Sequence, residues 1–188
     1  MFVALDLPEA VRDEIARWGK LALADPALRP LRPASLHITL AFLGRRSQEE
    51  VAPVAAAMEA SSAAAPIVEL LDPVARPVRG RPRLYALPGI SPEAAEMQSR
   101  LCALLVEKGL YEAEERPFWP HVTIAKVRAA KRGGGRPMRV ERPPIRRPPG
   151  LSQPFRAVRI TLYRSVLQPQ GAHYVPLAQV ELPRAGRQ

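Results

Sequence analysis

Apolar and β-branched residues occur along the chain in short runs that predict strands, and elsewhere at intervals of three or four residues that predict helices. Strands are predicted at residues 2–7, 35–43, 67–75, 83–87, 121–127, 155–167 and 174–182. Helices are predicted at 8–24, from 47 to about 60, and from 91 to 108. The resulting order is strand–helix–strand–helix, then strands–helix–strand–strands, which indicates a loose internal duplication.

Local residues indicate where these helices begin. Asp6, or the turn that follows it, is expected to open the first helix. Ser47 and Glu50 have the spacing of a capping box. Pro53 would interrupt a helix that had already begun there, so the second helix starts either at Ser47 or nearer to Pro53. Pro92 suits the first position of the third helix.

Two of the predicted strands carry nearly the same tetrapeptide, His-apolar-Thr-apolar, at residues 37–40 and 121–124. Two of the chain's three histidines belong to this repeat. Because strand side chains alternate, the His and Thr of each copy share one face. One such motif is ordinary on a solvated strand. Two neighbouring copies would present two imidazoles and two hydroxyls to one cleft, which suits acid–base chemistry on a phosphate.

Several ordered segments resemble one family, the 2H phosphoesterases, which are named for two His-x-Thr/Ser motifs. Within that family the chain is most similar to the bacterial and archaeal RNA 2′,3′-cyclic phosphodiesterases, once called 2′-5′ RNA ligases. The matching segments are Phe2–Pro8, Ser35–Gly44, Arg116–Lys126, Ile160–Ser165 and Gly171–Tyr174. The second motif has Ile124 where the family usually has Leu, and Lys126 where it often has Arg.

The resemblance implies an α+β fold of two pseudo-symmetric antiparallel-sheet lobes, with outer helices and a central cleft. It implies one such bilobal domain over residues 1–188. Each lobe would contribute one His-x-Thr strand to the cleft.

The resemblance also implies metal-independent hydrolysis of RNA ends that carry a 2′,3′-cyclic phosphate, with a 2′-phosphate as product. His37 and His121 would be the catalytic acid and base, and Thr39 and Thr123 would bind the phosphate oxygens. We expect His37 to protonate the leaving O3′ and His121 to activate water, although the motifs are symmetric and the reverse is equally compatible with them. No cofactor and no metal are expected.

Residues beside the motifs are weaker candidates for substrate contact. Strict alternation places Lys126 on the face opposite His121, so a phosphate contact there requires a bulge or a local twist. By the same rule Phe42 shares a face with Ile38 and Leu40, which favours core packing over stacking on a base.

Two further candidates lie in predicted loops. Trp119 either lines the rim of the cleft or anchors its loop. Arg132 belongs to the segment 131–150, which holds seven Lys/Arg, five Pro and four Gly and is predicted to be a flexible basic loop. That loop is either a solvated connector or an arm that binds the RNA backbone.

Composition limits the class of protein. The net charge of +10 favours an anionic partner such as RNA. The single cysteine, Cys102, forms no internal disulfide, which favours a reducing cytoplasm. No apolar segment of about 18 residues predicts a membrane span. A monomer is expected.

Two other functions remain open on the residues alone. The same site would serve a 2′-5′ RNA ligase or a 2′-5′ phosphodiesterase. Alternatively, the chain is a non-catalytic RNA-binding module, whose affinity would fall steeply with salt.

Overall fold

Ten antiparallel strands form one sheet in this computed structural model, which describes residues 1–130, 135–168 and 171–183. The strands are β1 Phe2–Asp6, β2 Leu28–Pro30, β3 His37–Phe42, β4 Ile67–Leu70, β5 Val74–Arg76, β6 Leu84–Ile90, β7 His121–Val127, β8 Phe155–Arg156, β9 Arg159–Gln168 and β10 Gly171–Glu181. The helices are α1 Glu9–Ala22, α2 Val51–Ser61 and α3 Pro92–Glu107. The expected α+β class is confirmed.

The sheet has two halves that meet at the two motif strands. Its order is β10-β9-β1-β3-β7-β6-β4-β8, with β2 beside β7 and β5 beside β6. β3 and β7 are joined by a single residue pair, Ile38 with Val122. Each half therefore contributes one His-x-Thr strand to the middle of the molecule.

The core lies behind this seam, between the sheet and the helices. Ile38 and Val122 are fully buried, and burying each such side chain contributes about 1.5–3 kcal/mol. α2 packs against α3 and β10, and α3 also contacts β3 and β4. The backbone that carries the two motifs is thus supported from its buried face.

Two helix starts each match one of the two alternatives that the sequence left open. α1 begins at Glu9, and Asp6 does not cap it, because the N-cap residue is Pro8 and no side chain caps the helix. α2 begins at Val51, so Pro53 lies in its first turn, where an N–H has no helical partner to lose. Only half of the capping box forms, since the Glu50 carboxylate accepts a hydrogen bond from the Ser47 N–H at 2.6 Å.

Two strand boundaries differ from the sequence prediction at points where the chain changes its partner strand. The predicted strand 67–75 is two strands, β4 and β5, because Asp72-Pro73 interrupts the ladder. The predicted strand 155–167 is β8 and β9. It divides at Ala157, where the chain leaves β4 and joins β1. β2 was not predicted, because three residues are too few to show a period.

The described part of the predicted basic loop, 135–150, lies against the protein. The Asp25 carboxylate accepts hydrogen bonds from the N–H groups of Glu141 and Arg142, both at 2.8 Å. The Asp72 carboxylate accepts one from the N–H of Arg147 at 2.9 Å. Arg132 lies outside the described residues.

Candidate active site

The two motif strands present their polar side chains to the same side of the sheet. Ile38 and Val122, which pair across the seam, point into the core and are fully buried. The flanking residues therefore point the other way. These half-buried side chains are His37, Thr39, His121 and Thr123.

The register sets each histidine beside the threonine of the other motif. Ile38 pairs with Val122. Antiparallel strands run in opposite directions, so the residues on either side of this pair also lie opposite each other. His37 is therefore aligned with Thr123, and Thr39 with His121. The expected meeting of two imidazoles and two hydroxyls in one cleft thus follows from a single register.

A β-bulge interrupts both motif strands at the same position. β1 pairs Val3 with Ala41 and then Ala4 with Thr39, so Leu40 is passed over. In β7 the register with β6 passes over Ile124 in the same way. The two residues after each Thr are therefore both buried, and alternation resumes one residue later.

The bulges change the faces of Phe42 and Lys126. The prediction that Phe42 packs in the core is wrong, since its side chain is 65% exposed and lines the cleft. Lys126 is exposed as well, five residues after its histidine. Burial is the main cause of the lowered pKa of His37, and the Lys126 charge adds to it, so the ammonium group acts on the site. The bulge that a phosphate contact by Lys126 requires is therefore present.

The cleft has two chemically different ends. Because β3 and β7 are antiparallel, Phe42 extends beyond the Thr39/His121 pair, and Lys126 extends beyond the other pair. One end is consequently aromatic and the other cationic, with the histidines and threonines between them.

Aromatic rings surround His37. Its ring centroid lies 4.9 Å from that of Phe2, 5.3 Å from that of Tyr174 and 6.2 Å from that of Tyr163. Burial lowers the pKa of His37 to about 4, although a backbone hydrogen bond with Ser35 and the charge of Asp6 both raise it. The imidazole is therefore neutral at neutral pH.

A buried carboxylate lies beside His37 and was missed as part of the site. Asp6 pairs with His37 across β1 and β3, and it is 2% exposed. Its oxygens accept hydrogen bonds from Arg159 Nε at 2.8 Å, Thr161 Oγ1 at 2.9 Å and Tyr163 OH at 2.8 Å. A carboxylate within an otherwise apolar strand was the sequence signal, because such a group must find partners when buried.

His121 has a different set of neighbours. Its ring stacks on Trp119, with centroids 4.0 Å apart and planes 16° apart. The guanidinium carbon of Arg76 lies 4.3 Å from the centroid of the Trp119 ring. Trp119 thus lies directly beside the imidazole. Nothing in the sequence near Arg76 predicted that Arg76 contacts Trp119.

The protonation of His121 follows from one hydrogen bond. Its Nδ1 lies 2.8 Å from the carbonyl oxygen of Trp119, which can only accept, so Nδ1 carries the proton. Nε2 is then the nitrogen available for proton transfer. Burial lowers the pKa of His121, the bond to Trp119 raises it, and the Arg76 charge lowers it.

A cavity of about 900 Å³ opens from the aromatic end of the cleft. Thr39, Phe42, Trp119 and His121 line its inner part, and α3 lines its outer part. His37, Thr123 and Lys126 lie outside its lining.

The described part of the chain shows neither a metal-binding cluster nor a membrane-spanning helix. Across 1–130, 135–168 and 171–183, no group of three or more His, Cys, Asp or Glu side chains is arranged to hold a metal ion. No helix in those ranges is both long and apolar enough to span a membrane.

Comparison with known proteins confirms the family resemblance. A family model described as the 2′-5′ RNA ligase superfamily matches residues 7–164. The chain is 28% identical over 178 residues to an RNA 2′,3′-cyclic phosphodiesterase of Escherichia coli, covering 94% of this chain and 93% of that relative.

Two solved structures share the fold over nearly the whole chain. The first is a crystal structure of a Thermus thermophilus protein, with a TM-score of 0.79, 27% identity and 98% coverage of each chain. The second is Escherichia coli LigT in complex with 3′-AMP, with a TM-score of 0.73, 25% identity and 97% coverage of each chain.

Proposed function

The chain belongs to the 2′-5′ RNA ligase superfamily, and on that premise we propose that it hydrolyses the terminal 2′,3′-cyclic phosphate of RNA to a 2′-phosphate. The observation that carries this proposal is the antiparallel register, which brings both His-x-Thr motifs to one cleft. The Escherichia coli relative is named for the same activity. A net charge of +10 also suits an RNA substrate.

The reaction requires two proton transfers on opposite sides of phosphorus. A base takes a proton from water, whose oxygen forms a bond to phosphorus as the P–O3′ bond breaks. An acid then gives a proton to O3′, and the phosphate remains on O2′. Two histidines in one cleft supply the two groups, each typically contributing about 10²–10⁴-fold to the rate.

The unequal surroundings of the two imidazoles support His37 as the base and His121 as the acid. This reverses the assignment that we expected from the sequence. A base must be neutral before it acts, and burial holds the pKa of His37 at about 4. The carbonyl of Trp119 keeps a proton of His121 on Nδ1, so Nε2 is the nitrogen that would give its proton to O3′.

The remaining polar groups of the cleft stabilise the phosphate. Thr39 and Thr123 would donate hydroxyl hydrogen bonds to the non-bridging oxygens, because each lies on the imidazole face of its strand. Lys126 would attract the phosphate charge from the cationic end of the cleft. Charge stabilisation by such donors is greatest in the transition state, where negative charge accumulates.

The test is incubation of the protein, in EDTA, with an RNA oligomer that ends in a 2′,3′-cyclic phosphate, followed by assignment of the product phosphate. We expect a 2′-phosphate, and turnover reduced by about 10²–10⁴-fold in His37→Ala and in His121→Ala. His173→Ala is the control, because this histidine is exposed and lies outside both motifs. Near-wild-type rates in both motif variants, or tight salt-dependent binding without turnover, would contradict the proposal.

A further inference from the structure

The outer part of the cavity is a groove that the proposed chemistry does not use. It runs from Thr39 and His121 to the exposed side of α3. α3 contributes Gln98, Cys102 and Val106 to its lining, and the loop after α3 contributes Tyr111 and Glu114. The groove therefore begins where a bound phosphate would lie and leads away from Lys126.

Four polar side chains line the groove wall, namely Gln98, Cys102, Tyr111 and Glu114. Gln98 Nε2 lies 3.2 Å from Cys102 Sγ. Burial first, and then the neighbouring Cys102 and Glu114, raise the pKa of Tyr111 to about 12. Tyr111 is only 8% exposed, whereas the Glu114 carboxylate is exposed to the groove. That carboxylate has lone pairs to accept hydrogen bonds.

The charges and shape of the groove select a base over a sugar–phosphate backbone. Among the described residues, Glu107 and Glu114 line it against one cation, Arg116, so phosphate groups would be repelled. Apolar surface from Val106 and Phe118 suits a planar ring. The base of the terminal nucleotide is carried on the same ribose as the cyclic phosphate, so it must lie next to the catalytic groups.

We propose that this groove is a nucleobase subsite, in which Glu114 accepts a hydrogen bond from the exocyclic amino group of the terminal base. The inference rests on the proposed function and adds a base preference to it. Cytosine presents an amino group at the position where uracil presents a carbonyl oxygen. A carboxylate pairs with the first and repels the second, so RNA ends in cytidine are favoured over those in uridine.

The experiment compares kcat/KM for cytidine and uridine 2′,3′-cyclic phosphates. We expect the wild-type protein to favour cytidine by about tenfold, the effect typical of one hydrogen bond to a charged group. Glu114→Gln should bring the ratio close to one, because an amide also donates to the uracil oxygen. Glu112→Gln is the matched control, since Glu112 is exposed on the same loop but does not line the cavity.

A second variant tests the location of the groove. Val106→Trp fills the groove from α3 at a position that is 44% exposed, so the fold tolerates it. It should raise KM for both nucleotides several-fold and leave turnover of methyl riboside 2′,3′-cyclic phosphate, which has no base, unchanged.

The outcomes separate this inference from the proposed function. Equal rates for the two nucleotides, or a preference that survives Glu114→Gln, would overturn the base subsite while hydrolysis itself stands. Failure of the wild-type protein to hydrolyse any of the three substrates would instead contradict the proposed function.

Discussion

The two halves of the cleft share a backbone and differ in what surrounds it. In both, the backbone two residues before the histidine, at Ser35 or at Trp119, raises the pKa of the imidazole against the larger effect of burial. In both, a bulge follows the threonine. His37, however, lies among aromatic rings beside the buried Asp6, whereas His121 stacks on Trp119 under the charge of Arg76.

This difference shows that the repeated motif determines the geometry and the neighbouring strands determine the protonation. Burial lowers the pKa of both histidines, and that of His37 falls to about 4. A symmetric pair of imidazoles would have no reason to favour one direction of proton transfer. The unequal surroundings of the two rings therefore support the proposed division into base and acid.

The largest effect is expected when either imidazole is removed and the variant is assayed on two kinds of substrate. On a 2′,3′-cyclic phosphate, His37→Ala and His121→Ala should each lose about 10²–10⁴-fold in kcat/KM. On bis(p-nitrophenyl) phosphate, whose leaving group needs no proton, His121→Ala should keep most of its activity while His37→Ala does not. Steady-state rates for both variants, with His173→Ala as control, measure this. The opposite pattern would exchange the acid and the base.

A smaller effect is expected from removing the group that supports each histidine. Asp6→Ala removes the acceptor of Arg159 Nε and of the fully buried Thr161 hydroxyl, although Arg159 keeps Glu181, so it should reduce the free energy of unfolding by about 3 kcal/mol. Arg76→Ala removes only a contact over an aromatic ring and should cost about 1 kcal/mol or less. Urea unfolding followed by circular dichroism measures both. Equal losses would mean that the two halves are supported alike.

The smallest effect is on stability as a function of pH. His37 is neutral in the folded protein down to about pH 4 but takes up a proton near pH 6.5 when unfolded. The unfolded state therefore binds more protons in this window, and the free energy of unfolding falls as the pH falls from 6.5 to 4.

The two histidines should differ in this respect. His37→Gln should flatten the pH dependence of unfolding by roughly 1–2 kcal/mol across that window. His121→Gln should flatten it less, because His121 is less strongly perturbed. Urea unfolding at several pH values measures the slopes, and a larger change for His121→Gln would refute the assigned difference in burial.

The faces of the motif residues were predictable from the sequence, and what lies beyond them was not. Period-two alternation correctly placed His37 with Thr39 and His121 with Thr123. The same rule failed at Phe42, because a bulge depends on the register with a partner strand, which the local sequence does not specify.

Contacts between distant segments set the rest of the site. Arg76 reaches Trp119 only because β5 and β6 form a hairpin beside β7. Asp6 did carry a local signal, a carboxylate in a buried strand, yet its donors lie more than 150 residues away along the chain. Which residues become such partners depends on the order of the strands in the sheet.

The paired bulges also determine how far each wall of the cleft lies from its motif along the chain. Deleting Leu40 or Ile124 would restore strict alternation without altering His37, Thr39, His121 or Thr123. Phe42 or Lys126 would then follow its histidine by four residues instead of five and would stay on the cleft face. In a strand without the bulge, the residue equivalent to Phe42 or Lys126 is therefore one position nearer the motif, and a comparison that counts positions from the histidine would overlook it.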